Sequence, residues 1–139
     1  MRKLWLLMSL LMLGSAAMAA DSALSIKRAV FVEHAGDEGR SLEPAEDLRK
    51  GDRVVLVLEW QGGQSRPFTL VSKVPHTLAY QRSGHREVEV SVDGGRRWGR
   101  LGTLRKGDRL AAPEEVTDLR WKVAASDAAG MRSYRAIVR

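Results

Sequence analysis

Five arginines, Arg96, Arg97, Arg100, Arg105 and Arg109, crowd into fourteen residues of the chain. Sharing a face, they would form a cationic patch for phosphate or sulfate groups, because a guanidinium presents a planar fork of donors. An outward Trp60 or Trp98 among them would stack on a sugar or a base. Against this stands a plainer arrangement, in which arginine stems cover apolar surface while their heads pair with acids of the early part of the chain. Catalytic chemistry finds less support. There is no G-x-S-x-G elbow and no cysteine, and Ser41, Ser65, Ser72 and Ser83 sit in no recognisable nucleophile setting. His34, His76 and His85 lack the spacing of a zinc site, and Glu43, Glu46 and Asp47 fit no calcium loop. The residues therefore read as non-enzymatic, with no catalytic residues, no metal and no cofactor expected.

The segments that must position these groups are short and alternate with a period of two. Ala23 to Glu33 reads as a first strand with Leu24, Ile26, Val30 and Val32 inward, and Arg28 breaking the pattern as a bulge or edge residue. His34 to Asp52 reads as a long acidic loop with a helical turn at Pro44 to Leu48. Arg53 to Trp60 is an apolar strand covered on both faces, ended by the turn Gln61 to Gln64; strands around Phe68 to Val74 and Thr77 to Gln81 follow. Val88, Val90 and Val92 then alternate with Glu87, Glu89 and Ser91, which face water, and Asp93-Gly94-Gly95 turns the chain back through Arg97 to Leu101. Leu119 to Val123 and Tyr134 to Val138 form two more strands, joined as a hairpin by Asp127 to Gly130. The last strand, Met131 to Arg139, is a candidate edge for pairing with a partner. About seven short strands in one domain describe an all-β protein, an immunoglobulin-like β-sandwich, with Trp60, Trp98 and Trp121 as large core fillers. The hexamer Leu48 to Arg53 recurs as Leu104 to Arg109 with different flanks, so it reads as two similar polar turns rather than a duplication.

Ser91-Val92-Asp93-Gly94-Gly95-Arg96-Arg97-Trp98 resembles the Asp-box of sialidases and other β-propeller proteins, with Arg97 where threonine is usual. The resemblance implies a structural hairpin built on Ser91, Asp93, Gly95 and Trp98. In it the carboxylate accepts from the turn backbone, glycine supplies positive φ and tryptophan packs over the joint. A single copy forms no propeller and implies no glycosidase. More widely, Gly51-Asp52-Arg53-Val54, Pro67-Phe68, Ser91 to Gly95 with Trp98, and Val116-Thr117-Asp118-Leu119-Arg120-Trp121 before a closing strand resemble the uncharacterised conserved repeat domain of bacterial secreted and surface proteins. That resemblance implies an immunoglobulin-like fold and carries no agreed activity.

The chain has 139 residues. Its first nineteen are laid out as a signal peptide, with Arg2 and Lys3 ahead of the apolar run Leu4 to Leu13 and the small-x-small signature Ala17-Met18-Ala19. Cleavage before Ala20 leaves a single domain, residues 20–139, and no apolar run long enough to span a membrane. Without cysteine there is neither a disulfide framework nor a lipid-attachment site, so the mature protein is expected to be periplasmic or secreted. Arg2 and Lys3 leave with the leader, which takes the formal charge from +6 to +4. That excess suits weak attraction to an anionic envelope glycan or simple solubility. The expected partner is another envelope protein, with an anionic glycan as the alternative; nucleic acid is disfavoured, and the sequence leaves the oligomeric state open.

Overall fold

The computed structural model describes residues 23–62 and 66–139. The leader expected at 1–19 and the residues Gly63 and Gln64 of the turn after Trp60 lie outside the described residues. Among the described residues the chain is all-β but for one 3-10 turn at Pro113–Glu115. Ten strands run in order: β1 Ser25–Gly36, β2 Gly39–Pro44, β3 Arg53–Gln61, β4 Phe68–Lys73, β5 Leu78–Ser83, β6 Glu89–Ser91, β7 Arg105–Lys106, β8 Arg109–Leu110, β9 Asp118–Val123 and β10 Ala129–Val138. Five form an antiparallel sheet in the order β2-β1-β3-β10-β5, three form a second, β4-β9-β6, and β7 and β8 make a small hairpin of their own.

The two larger sheets pack face to face. Even-numbered residues of β3 and β10, Val54, Leu58, Trp60, Tyr134 and Ala136, meet Leu70 of β4, Val90 of β6 and Leu119, Trp121 and Val123 of β9 in one core. Each large side chain contributes about 1.5–3 kcal/mol on full burial. Consecutive strands cross repeatedly from one sheet to the other, so this shared core holds the sheets together.

Several sequence expectations change at this level. Of the segment His34 to Asp52, expected as a loop with a helical turn at Pro44 to Leu48, residues 34–36 end β1 and Gly39–Pro44 forms β2, paired with β1 from Phe31↔Pro44 to Gly36↔Gly39 around a two-residue turn; residues 45–52 are loop, without the helical turn. All six residues of β2 are exposed, so no hydrophobic alternation marked it. Because β2 covers only the second half of β1, residues Ser25–Val30 pair with β3 alone, and Arg28 sits at an edge without a bulge. Leu24 and Ile26, expected inside, are 40% and 38% exposed, because the three-stranded sheet does not reach over them. The return strand after Asp93-Gly94-Gly95 is reduced to a single bridge, Val90↔Gly99. Asp127 to Gly130 does not join a hairpin, since β9 and β10 belong to different sheets. Finally, β10 is not an edge: it lies between β3 and β5 with partners on both sides.

Candidate functional site

Ser91, Asp93, Gly95 and Trp98 come together in one hydrogen-bonded turn at the end of β6. The Ser91 hydroxyl is fully buried; it donates to Asp93 Oδ1 (2.8 Å) and accepts from the Gly95 N–H (2.9 Å). It was expected on the wet face with Glu89, but the turn folds back over it and Thr117 N–H bonds its carbonyl (2.8 Å). Asp93 Oδ1 also accepts from the Arg96 and Arg97 N–H groups at 3.1 and 2.9 Å, and Arg97 Nε reaches Oδ2 at 3.2 Å. These donors hold the Asp93 carboxyl far below the usual carboxylate range, the Arg97 N–H most of all. Gly95, at φ +87°, lies against the indole of Trp98, whose Nε1 donates to the Gly95 carbonyl (2.9 Å). The Arg120 guanidinium stacks 4.6 Å from the Trp98 ring and pairs with Glu89 at 2.7 Å.

The five sequence-adjacent arginines take up separate tasks. Arg97 is held by Asp93, and Arg109 forms a two-pronged pair with Glu115 at 2.6 and 2.7 Å. Arg105 bonds the Asp108 carbonyl within the β7–β8 hairpin, Arg96 is exposed beside the turn, and Arg100 lines a shallow cleft with Glu89, Arg120 and Lys122. Their acid partners are local. They do not come from the early segment, whose acids sit on and beyond the β1–β2 hairpin of the other sheet.

The strands assemble a different arginine group, which no run of sequence announces. Arg40 of β2, Arg53 of β3, Arg82 of β5 and Arg135 of β10 line a cleft of about 190 Å³ around Glu33 of β1. The Glu33 side chain is only 6% exposed and is held by Arg40 (3.4 Å) and Arg135 (3.5 Å) through the same oxygen. Cross-strand register creates this group, with Arg135 opposite both Val55 and Arg82. The available signal was the outward parity of single charges in otherwise apolar strands.

A second cleft, of about 470 Å³, opens where the five-stranded sheet extends past the three-stranded one. Its floor is Arg28, Val30, Leu56 and Leu58 of β1 and β3, and its wall is Val71, Ser72 and Lys73 of β4. Tyr134 lines it at 1% exposure, and among the described residues its hydroxyl makes no well-formed hydrogen bond, with only the Ser72 side chain alongside. Burial raises the pKa of that hydroxyl, while neighbouring Ser72 and the Arg28 charge pull it down. Sequence reasoning missed this cleft because its walls come from four strands.

Compared with family models, curated proteins and solved structures, the chain matches none. Among the described residues, no helix is long and apolar enough to cross a membrane.

Proposed function

We propose that residues 20–139 form a non-catalytic protein-interaction module of the bacterial cell envelope, exported by the leader at 1–19 and built as an immunoglobulin-like sandwich. The observation that carries this reading is the mismatch of the sheets, five strands against three. Among the described residues it leaves the inner face of β1 at Ile26 and Arg28, and one edge of β4, largely uncovered, where a domain built only for stability would bury them. The resemblance to the conserved repeat domain of secreted and surface proteins supports the same placement, as does the crossing of successive strands between sheets.

A second reading, binding of an anionic envelope glycan, draws on the four-strand arginine group around Glu33, in which Arg53 and Arg82 pair with no acid among the described residues, and on Arg96 and Arg100, which likewise pair with none. One experiment separates the two. The mature chain is titrated with peptidoglycan, lipopolysaccharide and DNA from about 50 to 200 mM salt, where phosphate contacts show as a steep loss of affinity. The module reading expects no such polymer binding. Tight, salt-sensitive binding would replace it with the glycan reading, and charge reversal at Arg97 and Arg100 against reversal at Arg53 and Arg82 would then locate the patch.

A further inference from the structure

The cleft beside β4 has the features of an interrupted sheet. The β4–β9 register runs Leu70↔Trp121 and Ser72↔Leu119, and the next pair, Val74 and Thr117, is hydrogen-bonded at 2.8 Å. Hydrogen-bonded positions alternate along an antiparallel ladder. Leu70 and Ser72 therefore bond inward to β9, while the N–H and C=O groups of Val71 and Lys73 point to the open edge. Beside that edge, Arg28 and Val30 of β1 line the floor of the cleft, and Ile26, 38% exposed, continues the same inward parity beyond them, so this face of the strand reads apolar, cationic, apolar. Arg28 and Lys73 have no acid in ion-pair distance among the described residues.

We propose that this cleft is a strand-docking site: an extended segment of a partner protein adds to the free edge of β4, with side chains in the order apolar, any, acidic, any, apolar over Ile26, Arg28 and Val30. The proposal rests on the interaction-module reading and names the surface and the chemistry of its partner. Main-chain groups of the added strand pair with Val71 and Lys73, and its alternate side chains supply the specificity, as in other cases of strand addition. The acidic residue answers Arg28. An acyl chain would fill the apolar floor but leave the β4 edge unpaired, and it offers nothing to a cation in the middle of that floor. A strand satisfies both.

The test uses a labelled heptapeptide, Thr-Val-Thr-Glu-Thr-Val-Thr, and its counterpart with Lys for Glu, titrated by fluorescence anisotropy against residues 20–139. The Glu peptide is expected to bind at least about tenfold more tightly than the Lys peptide, and Arg28→Glu should reverse that order. Val71→Pro removes only an N–H that faces the open edge, so it leaves the β4–β9 ladder intact and should abolish binding, while Val71→Ala retains it. Equal affinity for both peptides, absence of binding, or binding that survives Val71→Pro overturns the proposal. So does displacement of the Glu peptide by dodecanoate whose own binding is unchanged in Val71→Pro, which would assign the cleft to an amphiphile. Failure here with no polymer bound in the salt series leaves the module reading standing on another surface. Polymer binding in that series removes the module reading itself.

Discussion

Ser91 and Glu115 carry more of the local structure than their neighbours, for opposite reasons. Ser91 is buried, and Ala in its place would leave the Asp93 and Gly95 N–H groups short of an acceptor inside the turn. Ser91→Ala is expected to destabilise the domain by about 1–3 kcal/mol, read as a lowered urea midpoint with an unchanged slope. Glu115 lies at the surface, where Arg109 first, and then the Ala112 N–H, hold its carboxyl at about 2 rather than the ordinary 4.5. A carboxyl with a depressed folded value contributes stability above its ordinary value and loses it as the pH falls towards the depressed one. Melting temperature should therefore fall on acidification between pH 4.5 and about 2, and Glu115→Gln should flatten that part of the profile. The Ser-x-Asp-x-Gly turn was legible in the sequence because the bonds among Ser91, Asp93, Gly95, Arg96 and Arg97 that define it are local. The burial of Ser91 was not, since strand parity assigns it to the side of Glu89 and only the distant Thr117 reverses this.

Elements were legible where one face is dry. β4, β9 and β10 alternate against the core and β3 is an apolar run with Val54 and Val55 both buried, whereas β2, wet throughout, could be found only through its partner β1. Turn chemistry at Asp127 to Gly130 was equally plain, but a turn does not specify which sheet the chain enters next. Here the answer lies in Trp60, whose Nε1 donates to the Asp127 carbonyl (3.0 Å) and whose ring lies against Gly130 of β10. A Cβ at Gly130 would stand 2.6 Å from Trp60 Cη2, and the indole is 2% exposed with no room to retreat. Gly130→Ala is expected to cost at least about 1–3 kcal/mol through overpacking, measured by chemical unfolding against the neutral control Ala129→Gly at an exposed position.

At the scale of the molecule, closeness in sequence and closeness in space part company. Of the arginines that crowd between Arg96 and Arg109, Arg97 and Arg109 turn to local acids while the other three pair with none among the described residues, and Arg40, Arg53, Arg82 and Arg135 converge from four strands. Composition told of the excess charge but not of where pairing would concentrate it. The all-β architecture was readable from turns and alternation; the order of strands was not, because it is decided by contacts between distant segments. That order bears on how the chain comes to be folded at all. Residues 129–138 supply the strand between β3 and β5. While those residues remain in a ribosomal tunnel, the five-stranded sheet is split and its core has no centre, so the two halves of the sheet join only once β10 is free to insert between them.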